Sequence, residues 1–218
     1  GGLVEVEVLM GPGVDPHQYK AVPSDTRKLN AARAIFYNGL HLEGRMAELL
    51  ERLAERKMCV AVASVLERDH AQRLRRPPEF EGSYDPHVWF DASLWAICAD
   101  YLADELASAD PAHAEAYRRN AAGYRRELEQ LHKECLERMA SIPQERRVLV
   151  TAHDAFGYFG HAYGLEVHGI QGISTVDEAS LAAVNEWIDL LVKRKVKAVF
   201  VETSVPRKHV QALIDGCA

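Results

Sequence analysis

Several side chains that can bind a metal ion come shortly after predicted strands of this 218-residue sequence. His17, His41, His153 and Glu202 each follow an apolar segment that has the pattern of a strand. In open parallel sheets, ligands bind beyond the carboxyl ends of the strands, so these four positions are candidates for a site. Neutral imidazole suits zinc and other late divalent metals, whereas carboxylate and water suit manganese better.

His87 follows no predicted strand, but it closes a second copy of the tripeptide Asp-Pro-His that also contains His17. Proline fixes its own φ angle and favours an extended residue before it, so both histidines stand on stiff loops. The aspartates of the two tripeptides, Asp15 and Asp85, are expected to bond their own turns. His17, His87 and His153 would form a metal site only in the folded chain. Spacing alone is weak evidence for such a site, and it favours structural histidines over ligands.

The elements that would position these residues alternate between strand and helix. In the first part of the chain, the predicted strands are 3–9, 34–37 and 58–63, and the predicted helices are 24–32 and 46–53. Valine and glutamate alternate over 3–9, which favours a strand, and Ser24 is the expected cap of the first helix. Strands that alternate with helices imply a parallel sheet covered by helices.

A long helix is predicted in the middle of the chain. Asp91 is a good N-cap for a helix that extends to about residue 108, and Asp110-Pro111 starts a second one. The second helix continues to about residue 140, and about thirty helical residues would span about 45 Å. Because one lobe does not need a helix of that length, we expect it to cross the molecule.

Strand and helix alternate again after Pro143. The predicted strands are 148–150, 165–168 and 198–201, and the predicted helices are 155–163, 180–193 and one that begins at Pro206. We therefore predict an α/β fold of two lobes with mainly parallel sheets, joined by one long rigid helix. The N-terminal lobe is expected over 1–110, the connecting helix over 111–141, and an incomplete C-terminal lobe over 142–218.

Composition and charge exclude several classes of protein. The chain is 48% hydrophobic and 27% charged with a net charge of −6, which is typical of a globular protein and argues against nucleic-acid binding. We find no apolar run of the roughly 18 residues that a membrane span needs, and we expect no leader sequence. The four cysteines are scattered singly, so they predict neither a zinc ribbon nor a disulfide scaffold. The arginine cluster at 68–76 is expected to be a solvated loop.

Six short motifs occur in order along the chain. They are GVDPHQY (13–19), PSD (23–25), NGLHLE (38–43), DPHVWFD (85–91), TAHDAFGYF (151–159) and VETSVP (201–206). Together they resemble the zinc- and manganese-binding solute receptors of ABC-type metal importers, the TroA-like family. The resemblance covers nearly the whole chain, and the order of the motifs makes it specific.

The resemblance implies two α/β lobes bridged by a rigid helix, with a metal ion held between them. It places the metal ligands on His17 and His87 of the first lobe and on His153 of the second. Some manganese-binding relatives have glutamate at the third position, so His153 favours zinc, and manganese binding stays open. The implied function is capture of zinc or manganese outside the cytoplasmic membrane, in the periplasm or on the cell surface, and delivery to an ABC-type membrane permease. The resemblance also implies a monomer without enzymatic activity, and it is compatible with a lipid anchor in the full-length form.

The sequence does not fix the fourth coordination position. In the family it is usually an aspartate near the C-terminus, in a segment beyond Ala218. The family's first strand and helix also precede Gly1, so we expect a truncated chain. Water and Glu202 are then the candidates for the fourth position. His41 is either a residue that orients a ligand or a packed loop histidine.

Two other functions stay open. Three histidines plus water also make a catalytic zinc site, in which Asp154 or Glu202 would be the general base of a zinc-dependent hydrolase. The sequence contains no HExxH motif, which argues against this alternative. An interaction or adhesion module with a structural metal is the third interpretation.

Overall fold

Two pairs of parallel strands organise the chain in the computed structural model. The structure describes residues 2–78, 80, 82–176, 187–189, 191–194, 196, 198–204 and 211. In chain order the helices and strands are α1 (Pro23–Ala31), β1 (Ala34–Tyr37), α2 (Ala47–Ala54), β2 (Met58–Ala61), α3 (Ser64–Asp69), α4 (Ala92–Ala109), α5 (Ala114–Ala140), β3 (Val148–His153), α6 (Gly157–Tyr163) and β4 (Glu166–Gln171). The predicted α/β class with parallel sheets is confirmed.

The first sheet forms between the strands that the sequence predicts. β1 pairs in parallel with β2, with Ala34 opposite Met58, and α2 lies in the crossover between the two strands. A crossover is needed because parallel neighbours cannot be joined by a tight turn. The apolar face of α2 packs in one core with the sheet, where Leu50, Leu53 and Ile35 are buried. The apolar period that predicts α2 therefore marks its buried face.

The strand predicted over 3–9 is wrong. The structure assigns no strand to these residues, and Val4, Val6 and Val8 are 51%, 77% and 68% exposed. Alternation of valine and glutamate gives a segment two faces, but a strand also needs a neighbour that supplies ladder hydrogen bonds. The structure places no paired strand beside this segment in the part of the chain that it describes.

The cap of α1 also differs from the prediction. Val22 is the N-cap residue, and Ser24 lies inside the helix because Pro23 occupies its first position. Asp25 closes the first turn, since its carboxylate accepts a 2.9 Å hydrogen bond from the backbone N–H of Val22. The cap position is thus displaced by two residues from the serine that the sequence suggests.

The central helices follow the prediction closely. Asp91 caps α4, and its carboxylate accepts a 2.9 Å bond from the N–H of Ser93. A short 3-10 helix opens at Pro111 and leads into α5, whose 27 residues span about 40 Å. α5 is largely solvent-exposed and packs along α4 through a few residues such as Leu128. No helix in the described part of the chain is both long and apolar enough to span a bilayer.

The second sheet pairs β3 with β4 in parallel. Val150 and Ile170 of these strands are buried in one core with Leu191. The strand predicted over 198–201 reduces to a single parallel bridge between Phe200 and Thr151. Of the helix predicted over 180–193, residues 187–189 and 191–193 are helical. The rest of that prediction and the cysteine at 217 lie outside the described residues. Of the helix expected from residue 206, only residue 211 is described, and it is helical.

Candidate metal centre

Three histidines that are distant in sequence lie together in the structure. His17, His87 and His153 each offer a ring nitrogen, and these nitrogens lie within 4.8 Å of one another. The Nε2 atom of His87 is 3.2 Å from Nε2 of His17 and 3.3 Å from Nε2 of His153. The three residues are only 5%, 1% and 6% exposed, in chain order. The structure therefore brings the three predicted site residues to one buried point.

His17 is held by the turn that the tripeptide 15–17 forms. The Oδ1 atom of Asp15 accepts a 2.9 Å hydrogen bond from the backbone N–H of His17, as the sequence predicts for this aspartate. The other oxygen, Oδ2, accepts a hydrogen bond from the hydroxyl of Thr175. Asp15 thus also bonds a residue beyond its own turn, which the sequence does not predict.

His87 is oriented by the aspartate of its own tripeptide. Asp85 is fully buried, and its Oδ1 atom lies 3.0 Å from the backbone nitrogen and 2.8 Å from Nδ1 of His87. A carboxylate at Nδ1 holds the proton there, so the lone pair of Nε2 points at the other two histidines. The Asp-Pro-His tripeptide therefore supplies both a ligand candidate and the carboxylate that fixes its tautomer.

Arg75 and Tyr158 support Asp85 from two sides, and both are missed by the sequence analysis. The guanidinium of Arg75 pairs with Oδ2 of Asp85 at 2.7 Å. The hydroxyl of Tyr158 donates to the backbone oxygen of Asp85 at 2.9 Å and accepts from the backbone N–H of Arg75 at 3.1 Å. A side chain at Gly157 would overlap the Arg75 guanidinium, with a Cβ only 1.1 Å from its nitrogen. The expected solvated arginine loop is therefore wrong for Arg75.

His153 is the last residue of β3, and its ring has a carboxylate behind it. The Nδ1 atom of His153 contacts the carboxylate of Glu202, while Nε2 faces His87. Glu202 reaches this place because Phe200, two residues earlier, bridges to Thr151 of β3. Glu202, a candidate for the fourth coordination position, thus lies at the outer nitrogen of His153. The backbone N–H of Asp154, the next residue, donates to the backbone oxygen of Gln171 at 3.0 Å.

His41 lies at the rim of the site. It is exposed and lines an open cavity of about 480 Å³ together with His17. The chain reaches this position through three consecutive positive φ angles, 85° at Gly39, 54° at Leu40 and 64° at His41. Such angles are unfavourable for residues other than glycine. The buried carboxylate of Glu43 supports the bend by accepting hydrogen bonds from backbone N–H groups at its base.

The surroundings of His17 favour its neutral form. Burial, followed by repulsion from His87 and His153, lowers the pKa of His17 from 6.5 to about 4. At neutral pH its ring is therefore unprotonated, with a lone pair free to bind a cation. Three nitrogen ligands on a buried point suit a divalent transition metal such as zinc.

Comparison with known proteins agrees with this geometry. The chain matches the model of the ZnuA family, described as the zinc-uptake complex component A, periplasmic, over residues 1–217. The chain belongs to the ZnuA family. The family resemblance found in the sequence motifs is therefore confirmed.

Individual members of the ZnuA family are similar over almost the entire chain. The chain is 46% identical to the manganese-binding lipoprotein MntA of Bacillus subtilis (strain 168), covering 99% of this chain and 69% of that protein. It is 42% identical to the zinc-binding protein TroA of Treponema pallidum (strain Nichols), covering 99% and 68%. The solved structure of the periplasmic zinc binding protein TroA from Treponema pallidum matches with a TM-score of 0.93, covering 99% of this chain and 76% of that one. The fold and the family assignment therefore rest on the same range of residues.

The lowered pKa of His17 predicts a loss of stability of the metal-free protein between pH 6.5 and pH 4. In this window His17 binds a proton in the unfolded chain but not in the folded one, so the free energy of unfolding falls as the pH falls. A shift of this size corresponds to about 3 kcal/mol. Urea unfolding in the presence of a chelator, at pH 7 and pH 4, measures the difference.

Replacement of His17 isolates its share of this pH dependence. His17→Gln should flatten the pH dependence by about 3 kcal/mol, because glutamine does not titrate. His161→Gln changes an exposed histidine and should leave the pH dependence as it is. Equal pH dependence in the wild type and in His17→Gln would contradict the prediction.

Proposed function

We propose that this chain captures one divalent metal ion, zinc or manganese, outside the cytoplasmic membrane and delivers it to an ABC-type membrane permease. In this proposal His17, His87 and His153 are the metal ligands. The observation that supports it most is the convergence of three buried imidazole nitrogens within 4.8 Å of one another. Lone pairs buried at one point are unfavourable unless a cation or proton binds them, so the arrangement suits a metal.

Zinc and manganese are the metals that the relatives' names indicate. MntA is named a manganese-binding lipoprotein, and TroA a zinc-binding protein. Three imidazoles favour zinc over manganese, because manganese prefers oxygen ligands. We therefore propose zinc as the preferred cargo and manganese as a second one. The names of the family and of MntA also support a periplasmic or surface location with a lipid anchor.

Two carboxylates are proposed to orient the ligands. Asp85 lies 2.8 Å from Nδ1 of His87, and Glu202 contacts Nδ1 of His153. A carboxylate at the outer nitrogen fixes the ring and raises the basicity of the ligand nitrogen. We therefore propose that Glu202 orients His153 and that water can take the fourth position. His41 has no proposed role in coordination, since it lies at the exposed rim.

The proposed domain organisation follows from the position of the site. We propose an N-terminal lobe over 1–110, a connecting helix over 111–141 and a C-terminal lobe over 142–218. The first lobe would then supply His17 and His87, and the second His153. A connecting helix such as α5, 27 residues long, supports a small tilt between the lobes rather than a wide hinge motion. A monomer is sufficient, because all three ligands come from one chain.

No enzymatic activity is proposed for this site. The family description and the names of the relatives refer to metal uptake and metal binding. Neither gives support to the zinc-hydrolase alternative. Some of the similar solved structures are laminin-binding proteins, and that of Lmb from Streptococcus agalactiae is described as bifunctional, with adhesin and metal transporting activity. The buried three-histidine site of this chain supports the metal activity, so metal capture is the one function proposed.

Loss of His87 tests the proposed function. Wild-type protein should bind one zinc ion in a calorimetric titration, with one zinc per chain by elemental analysis. His87→Ala should weaken the affinity by more than roughly 100-fold, because it removes a ligand and leaves Asp85 without its ring partner. His161→Ala should bind zinc as the wild type does. Tight stoichiometric binding by His87→Ala would refute the ligand set, provided that circular dichroism shows all three proteins to be folded.

Neutralisation of Asp85 tests how the ligand is oriented. Asp85→Asn keeps the shape of the side chain but weakens both the pair with Arg75 and the bond to the His87 ring. The zinc affinity should fall by roughly 10- to 100-fold. The matched control is Asp104→Asn, which alters an exposed pair with Arg118 and should leave the affinity unchanged. An equal affinity of Asp85→Asn and wild type would show that Asp85 does not orient the ligand.

A further inference from the structure

Hydrogen bonds join the loop that contains His17 to the segment that follows β4. The hydroxyl of Thr175 donates to Oδ2 of Asp15 at 2.5 Å. The side-chain amide of Gln18 donates to the backbone oxygen of Thr175 at 3.0 Å. The residues Asp15 and Thr175 are 160 apart in the sequence, so these bonds join distant parts of the chain.

One carboxylate connects this contact to the metal centre. Oδ1 of Asp15 accepts the backbone N–H of His17, and Oδ2 accepts the hydroxyl of Thr175. Thr175 is only 5% exposed, so water competes poorly for its bond to Asp15. The position of His17 is therefore coupled to the position of the segment after β4.

The segment around Thr175 also forms one wall of the cavity mouth. Its neighbours Ser174 and Val176 line the open cavity of about 480 Å³ together with His17 and His41. Displacement of this segment would widen the mouth beside His17. The bonds of Thr175 to Asp15 and Gln18 oppose such a displacement.

A second connection between distant segments lies at Asp85. There the fully buried Tyr158 bonds backbone groups of both Arg75 and Asp85. By contrast, Gln18 and Val176 beside the contact at Thr175 are exposed. Of the two connections, the contact at Thr175 is thus the one that borders solvent-exposed residues.

We propose that Thr175, Asp15 and Gln18 form a clasp that closes the mouth and slows the release of the bound metal. Thr175 and Asp15 are positioning residues in this view, since neither is proposed to touch the metal. The inference rests on the proposed function, because it assigns a role at the same site. A shielded hydrogen bond from a hydroxyl to a carboxylate is strong enough to change a dissociation rate by about tenfold.

Removal of the Thr175 hydroxyl tests the clasp. Thr175→Val keeps the shape of the side chain and loses the donor to Asp15. Zinc-loaded protein is mixed with an excess of a chromophoric chelator in a stopped-flow instrument, and zinc association is followed separately. Dissociation should be about tenfold faster than in wild type, and association should change by less than about twofold, because the clasp acts after the metal has entered.

Three further variants give the test its controls. Thr175→Ser keeps the hydroxyl, so its dissociation rate should equal that of wild type. Gln18→Leu changes an exposed residue and should speed dissociation through loss of the bonds of its amide to Thr175 and Asp15. Thr26→Val makes the same substitution as the main variant at a hydroxyl that bonds Val22 within α1, and it should leave both rates unchanged.

The outcomes separate the clasp from the proposed function. If the three proteins take up zinc but wild type, Thr175→Val and Gln18→Leu release it at equal rates, the clasp proposal is overturned and the proposed function is not. The clasp proposal is also overturned if Thr175→Val changes only the association rate, or if Thr26→Val speeds dissociation as much as Thr175→Val does. Failure of the folded wild type to take up zinc overturns the proposed function and the clasp together.

Discussion

The structure depends on holding three imidazole rings close together inside the protein. Three cationic rings with nitrogens 3.2–3.3 Å apart would repel one another strongly, and burial further disfavours the charged form. Carboxylates at the outer nitrogens of His87 and His153 fix the orientation of these two rings. The lone pairs then face inward, where a divalent cation can satisfy all three at once.

The surrounding strands and side-chain contacts hold the three histidines in place. The parallel pairing of β3 and β4 places His153 at a strand end, and the bridge at Phe200 brings Glu202 behind it. The contacts among Arg75, Asp85 and Tyr158 fix the second histidine from elements distant in sequence. Rigid positioning of this kind lowers the entropy lost when a metal binds, because few side chains must be ordered at that moment.

Local patterns in the sequence predict much of the fold. The apolar period of α2 and the cap at Asp91 each depend on neighbours within a few residues, so the sequence shows them directly. The alternation over 3–9 misleads because pairing depends on a partner strand that the segment itself does not specify. The order of the motifs, rather than their spacing, indicates which histidines share a site. Arg75 could not be placed in this way, since its contacts arise only when separate segments meet. The strand-end position of Glu202 indicates the site, but not the nitrogen of His153 that its carboxylate contacts.

A crystal structure of the zinc-loaded protein, with the metal located by anomalous scattering, tests the central claim most directly. The account predicts one zinc ion bonded to the Nε2 atoms of His17, His87 and His153, each at about 2.0–2.1 Å. Asp85 and Glu202 should remain at the outer nitrogens of their histidines. A zinc ion bound elsewhere, or one from which any of the three rings is turned away, would contradict the account.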